Sequence, residues 1–284
     1  MTTDTTTGDV ATTRPQFVGA RVNRREDPRL LRGEGRFVDD HHVHGLAHVA
    51  FRRSDTAHGG LNGVDTEAAR AMPGVIGVFT APDLAPIAQP IRATSRMVDY
   101  YATPLGPLAT DKVRYVGEPV AAVVAESRYI AEDAAARITL DIEALPALVD
   151  VAEAAAEATN LVHDEAGTNV LATRAFGRGD IDQAMAEAAF RVGARFRIHR
   201  KAPVALEARG GLADYDKRTG SLTLHSTTQI PGIVRDALSE IFGIPGSRMR
   251  VVCADVGGGF GAKATLYAED ICLVALAKLV GRPV

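Results

Sequence analysis

The sequence predicts an α+β fold, and three observations carry that prediction. A strand–helix–strand pattern occurs twice between about residues 45 and 143. Further on, IPGIVRDALSEIFG changes from an alternating to a helical period before a new strand begins. The 284 residues are 46% apolar and 24% charged, a globular mix long enough to bury a core without staples.

The elements follow in order. GLAHVAFRRS, 45–54, alternates as a strand, and VDTEAARAM reads as a short helix with Asp65 as its N-cap. Pro73 and Gly74 stop that helix and VIGVFT resumes extended chain. Five prolines make 81–111 loop-like, and 119–125 is β-branched and continuous, as a buried strand is. YIAEDAAARI is a helix with a small-residue face, and ITLDIE alternates again. Residues 144–169 are rich in alanine and acid with little β character. Past Gly177, DIDQAMAEA is a helix opened by Asp180, and FRVGARFRIHRK and SLTLHSTTQ read as strands. Val234, Leu238, Ile241 and Phe242 then share one helical face, with Pro231 in the first turn and Gly243 at the stop. MRVVCADV is a strand, and ICLVALAKLV, with no polar face, is a buried helix or a strand by period alone. The organisation expected is a disordered tail at 1–16, a first domain at 17–145, a linker at 146–176 and a second domain at 177–284.

Composition excludes several classes of function. A net charge of −3 gives no case for a nucleic-acid or anionic-membrane partner. Two cysteines, Cys253 and Cys272, are too few for an all-cysteine cluster or zinc site and read as reduced core thiols. MTTDTTTGDVATTRPQ has no apolar segment of the kind a signal peptide needs, and no run is long enough to span a bilayer. A cytoplasmic protein is expected. Three of the eight histidines fall in DDHHVHG, read as a solvated turn rather than a metal site.

The chemistry concentrates in VVCADVGGGFGAK. Gly257, Gly258, Gly259 and Gly261 sit between a strand and a helix, where uncovered N–H groups can meet anionic oxygens. A Walker loop fails, because Ala264 follows Lys263. Gly257, Gly259 and Ala262 have dinucleotide-fingerprint spacing, but no acidic residue stands about 20 positions on, where that fingerprint needs one. A dinucleotide-binding oxidoreductase is therefore the lesser alternative.

VGGGFGAK resembles the molybdopterin-binding loop of molybdenum hydroxylase large subunits, the family of xanthine dehydrogenase, aldehyde oxidase and aerobic carbon-monoxide dehydrogenase. Thr227, Thr228 and Gln229 match a second motif of that family, with Gln229 and Phe260 separated by 31 positions as the family has them. RVNRREDPRLLRGEGRFVDD, VRYVGEPVAAVVAES and LPALVD resemble its α/β hammerhead domain. The resemblance covers about 20–284. It implies an α/β hammerhead domain followed by the beginning of a molybdopterin-binding α+β domain. It also implies a molybdenum–molybdopterin cofactor, expected in its cytosine dinucleotide form. By the same resemblance Gln229 faces a molybdenum oxo group, Gly258, Gly259, Phe260 and Gly261 lie against the metal and pterin, and no residue ligates the metal directly.

The family's reaction is oxidation of an aldehyde, N-heterocycle or carbon monoxide with water as oxygen source. Electrons pass to iron–sulfur and FAD groups held by a small and a medium partner subunit. Family large subunits run well beyond this length and carry a later general-base glutamate, so no catalytic residue is expected in this segment. Activity is expected only with the C-terminal part of the large subunit. The alternative is a non-catalytic relative that only binds partner subunits. Ala264 stands where xanthine dehydrogenases have a glutamate, which turns the expectation away from xanthine. Glu207, Ala208 and Arg209 lack a family proline, and Glu207 and Asp255 are carboxylates that no motif places at the site; a lone acid beside a strand is expected at the surface.

Overall fold

The computed structural model describes residues 17–92, 95, 97, 99–156 and 159–284, so the expected tail lies outside the described residues. Residues before 37 form a unit of their own, carrying α1 (Asp27–Leu31), with Pro28 in its first turn. Phe37–Val284 form the second compact unit.

That unit begins with β1 (His48–Arg53), β2 (Gly59–Asp65), α2 (Glu67–Arg70), β3 (Val75–Thr80) and α3 (Ala81–Leu84). The short strands β4 (Ile91–Arg92), β5 (Pro104–Leu105) and β6 (Lys112–Val113) lead to β7 (Pro119–Ala125). Then come α4 (Arg128–Ala136), β8 (Thr139–Ala144), α5 (Val151–Ala156) and α6 (Ile181–Glu187). The last part is β9 (Gly211–Asp216), β10 (Ser221–Ser226), α7 (Pro231–Phe242), β11 (Met249–Val252) and α8 (Ala268–Val280).

β7 is the hub. It lies between β1 and β3, antiparallel to both, and all its residues are buried. Its side chains alternate between two layers. Ala121 and Val123 pack with Ala134, Ala135 and Ile138 at α4, while Ala122 and Val124 join the core that holds α8. A strand covered on both faces has no polar side, hence its unbroken apolar run. The small-residue face of α4 lets the helix approach closely, and Ser127 caps it by accepting from Ile130 N–H at 3.3 Å.

A second sheet runs β6-β2-β8, all antiparallel, and β4 pairs with β5. In the third sheet β10 is central, antiparallel to β9 and parallel to β11. The parallel pair requires a crossover, which α7 supplies. Val234, Leu238 and Phe242 of α7 are buried, and Gly243 ends the helix with φ 60°. α8 is buried along most of its length, so the apolar run that period left open is a helix.

The structure departs from the sequence reading in several places. Asp65, read as a helix N-cap, closes β2, and Thr66 is the N-cap of α2. FRVGARFRIHRK forms no strand; Phe190, Val192, Phe196 and Ile198 are exposed. A strand needs a neighbour for its backbone groups, and none of the described sheets extends to this segment. The loop-like 81–111 contains α3, β4 and β5. β2 and β9 were not anticipated, because their glycines weaken the alternation. Among the described residues, no helix is long and apolar enough to cross a membrane.

Two substitutions test the packing of α4. Ala134→Leu overfills a fully buried position and is expected to cost about 1–3 kcal/mol. Tyr129→Ala, on the exposed face, should stay within about 0.5 kcal/mol. Urea midpoints at unchanged m-value give both numbers.

Candidate cofactor-binding loop

The site is assembled from two chain segments that leave neighbouring strands. β10 ends at Ser226 and hands over to Thr227, Thr228 and Gln229. The two threonines are buried and their hydroxyls are used locally. Thr227 Oγ1 accepts from Gly210 N–H at 3.1 Å, and Thr228 Oγ1 donates to Lys263 O at 3.3 Å. Gln229 is exposed, and its backbone N–H donates to Lys263 O at 2.9 Å.

The second segment leaves β11. Cys253 Sγ donates to Thr228 O at 3.0 Å, which ties the two exits together. Burial, followed by the neighbouring Glu207, pushes that thiol up from its ordinary range, so it stays protonated and unreactive. Cys272 is free and buried, its thiol also raised by burial.

The glycines are needed for contact. A Cβ on Gly259 would stand 2.4 Å from Gln229 Cδ, and one on Gly257 would stand 2.5 Å from Glu207 Cβ. Gly258 and Gly261 have φ of 99° and 86°. Between them Phe260 takes φ 51°, a left-handed conformation rare for a bulky residue. Its ring is 73% exposed, so it is no core residue.

Gln229 and the loop meet through one atom. Gln229 Oε1 accepts from Gly261 N–H at 3.0 Å and from Lys263 N–H at 3.3 Å. Two backbone donors on the oxygen fix the orientation of the amide. Its NH₂ group has no partner within the described residues and remains a free donor. The backbone N–H groups of Gly258, Gly259 and Phe260 are likewise without acceptors among the described residues. Gln229, Gly258, Gly259, Phe260 and Gly261 therefore come together as one exposed ledge of donors beside an aromatic ring. That arrangement fits an external group rich in oxygen acceptors with a flat face.

Glu207 and Lys263 carry a role the sequence did not disclose. The Lys263 ammonium, almost fully buried, donates to Glu207 Oε2 at 3.1 Å and to Glu207 O at 2.9 Å. Glu207 is thus a partly buried ion-pair member rather than a surface acid. Sequence alone offered only a lysine two positions after the last loop glycine.

Behind the ledge lies a cavity of about 20 Å³, lined in part by Arg209, Thr227, Lys263, Tyr267 and Asp270. It has room for one water-sized group. Arg209 lies over the Tyr267 ring at 3.6 Å and faces Glu269, which also pairs with Arg53 at 2.8 Å. Burial alone would raise the Glu269 carboxyl, but the helix N–H and the two guanidiniums hold it below its usual range. Asp270 accepts from Tyr267 N–H at 3.0 Å at the start of α8. Burial pushes its carboxyl up to about 6, against that hydrogen bond and Arg209. The His41 and His225 rings lie 4.4 Å apart, tilted by 40°, but no three potential ligands gather to hold a metal among the described residues.

Comparison with known proteins gives a consistent result. Residues 32–146 match the family model of the aldehyde oxidase and xanthine dehydrogenase a/b hammerhead domain. Residues 162–284 match the molybdopterin cofactor-binding domain. The chain is 39% identical over 267 residues to the nicotine 6-hydroxylase large subunit of Paenarthrobacter nicotinovorans, covering 94% of this chain and 33% of that one. It is 34% identical over 279 residues to the carbon monoxide dehydrogenase large chain of Hydrogenophaga pseudoflava, covering 93% and 34%. The crystal structure of quinoline 2-oxidoreductase from Pseudomonas putida 86 superposes with a TM-score of 0.88 at 39% identity, covering 93% and 34%. The chain spans about a third of the length of the relatives it matches.

Two measurements check this geometry. Gly259→Ala drives the exposed Gln229 amide aside and is expected to lower stability by about 0.5–1.5 kcal/mol through its lost hydrogen bonds. Gly232→Ala, with open space around it in α7, should raise it by about 0.4–1 kcal/mol. The second measurement is a pH series. A carboxyl raised from 3.8 to about 6 contributes stability that is complete below about pH 4 and lost as pH rises through about 6. Asp270→Asn should flatten that slope and be the more stable form at neutral pH, by on the order of 2 kcal/mol. Thermal melts of both proteins across that range read it directly.

Proposed function

The chain belongs to the molybdenum hydroxylase large-subunit family, carrying its hammerhead domain and part of its molybdopterin-binding domain, and from that premise we propose that it holds one side of a molybdenum–molybdopterin group in an oxidising enzyme. The substrate class is an aldehyde, an N-heterocycle or carbon monoxide, with water as the source of oxygen. The hammerhead domain occupies about 17–145, a linker about 146–176, and the cofactor-binding domain begins near 177.

The observation that carries this reading is the Gln229 amide, whose oxygen is held by the Gly261 and Lys263 N–H groups. Gln229 thereby presents only a donor outward, which suits an oxo group and adds no charge. The N–H groups of Gly258, Gly259 and Phe260 add three more donors for oxygen or sulfur at the same face. Gly261, open on its outer side, lets the group approach the backbone. The Phe260 ring walls the space beside it and excludes water. When bound, the molybdenum–pterin group supplies two-electron redox chemistry and Lewis acidity toward water.

The expected form of the group is the cytosine dinucleotide. The general-base glutamate that the family resemblance implies would come from another part of the enzyme. Iron–sulfur and FAD subunits would take the electrons. Ala264 after Lys263 leaves no acid to orient a purine, which favours substrates other than xanthine.

Molybdenum content of the assembly purified from its native host tests the reading. About one molybdenum per copy of this chain is expected; none, in cells that make other molybdoenzymes, would overturn it in favour of a partner-binding module. In the loaded assembly Gln229→Ala and Phe260→Ala should each lower turnover by about 10–100-fold without loss of fold. Unchanged turnover would remove both residues from the site.

A further inference from the structure

The ledge is exposed, strained at Phe260 and built largely from glycine, so something must hold it in one shape. Glycine-rich loops have high conformational entropy and do not hold themselves. We propose that Glu207 and Lys263 are positioning residues that clasp both ends of the loop and so aim the Gln229 amide and the Phe260 ring. The inference deepens the cofactor-binding reading and rests on it for its last step.

The clasp closes a circuit. At the entry, Gly257 N–H donates to Glu207 Oε2 at 2.7 Å, and Glu207 N–H donates back to Gly257 O at 3.1 Å. The Cβ that Gly257 lacks would collide with Glu207 Cβ, so this glycine serves the clasp rather than the cofactor face. At the exit, the Lys263 ammonium takes the same carboxylate oxygen and the Glu207 carbonyl. Entry and exit are thus fastened to one residue from a distant part of the chain. Lys263 then passes the constraint onward through its backbone. Its N–H donates to Gln229 Oε1, and its carbonyl accepts from Gln229 N–H and Thr228 Oγ1. Val38 N–H gives Glu207 Oε1 a further, longer contact at 3.4 Å.

The energetics favour a positioning role. A buried ion pair contributes little net stability over an apolar pair, yet losing one member leaves an uncompensated charge. Its return here is geometry: both partners make backbone hydrogen bonds that an apolar pair cannot replace. Neither side chain reaches the exposed ledge, since Lys263 is 3% exposed and its ammonium is spent on Glu207.

Amide hydrogen exchange on the chain itself is the test, with molybdenum content of the assembly as a second readout. Glu207→Ala and Lys263→Met are expected to speed exchange at Gly257, Gly261 and Lys263 by about tenfold or more, the scale of one lost charge-assisted hydrogen bond. Leu222, Leu224 and Val251 in the third sheet should keep their rates. Glu207→Gln keeps an acceptor oxygen in place but leaves the Lys263 ammonium without its counter-charge, so its loop exchange should fall between the parent and Glu207→Ala. In the assembly, the first two variants should retain less molybdenum per chain than Glu207→Gln. Unchanged loop exchange in Glu207→Ala overturns the proposal. So does equal acceleration in loop and sheet, which would mean global loosening. Loop exchange that accelerates as expected while molybdenum content stays at the parent level also overturns the positioning role. If the parent assembly holds no molybdenum, the cofactor-binding reading fails, while the exchange data still decide whether the clasp exists.

Discussion

The double burial of β7 governs the arrangement of everything else. A strand apolar on both faces must be covered by two separate layers, and here α4 covers one while α8 joins the core on the other. Each fully buried valine of β7 contributes on the order of 1.5–3 kcal/mol relative to exposure, so neither layer is optional. α8 is also the helix into which the glycine loop runs. Its seat against β7 and β9 therefore sets where the loop must end. The position of the site is a consequence of core packing laid down by a segment more than a hundred residues earlier in the chain.

From that anchor the local chemistry becomes economical. One amide oxygen on Gln229 binds two loop N–H groups, and the same act leaves one amide nitrogen as an outward donor. The Thr228 hydroxyl and the Cys253 thiol tie the exits of β10 and β11 to each other, and the Thr227 hydroxyl ties the exit of β10 to Gly210 at the start of β9. The ledge carries uncharged N–H donors, while charged groups nearby are paired: Lys263 with Glu207, and Arg53 and Arg209 with Glu269. A surface of neutral donors can meet an electron-rich group without imposing a fixed charge on its redox chemistry.

Much of this was legible in the sequence, for reasons that differ by element. β7 announced itself by an unbroken apolar run, and α7 by its face of Val234, Leu238 and Phe242 with Gly243 as its stop, whereas the apolar run of α8 marked burial but left helix and strand open. Asp180 was read correctly as a cap, accepting from Gln183 N–H at 2.9 Å. The paired motifs at Thr227–Gln229 and Gly257–Lys263, read from their residue types, are brought into contact through the Gln229 amide oxygen. What stayed hidden was contact between distant segments. Nothing local to Glu207 marks it as the partner of Lys263, since 56 positions separate them and neither lies on a periodic face. β2 and β9 stayed hidden because sheet neighbours, not their own glycine-bearing sequences, make them strands. FRVGARFRIHRK failed in the opposite direction: its alternation was strand-like, but alternation supplies side chains and not a neighbouring backbone.

The left-handed backbone at Phe260 has a consequence for how this position can change over generations. Its φ of 51° is a property of the loop's path, so any successor inherits it. Valine, isoleucine and threonine, with two heavy atoms on Cβ, clash most in that region and are barred first. Glycine, asparagine and aspartate tolerate the backbone but abandon the ring. Drift at residue 260 is thereby channelled: a large apolar wall and an easy backbone are not available in the same side chain, and each lineage must give up one of them.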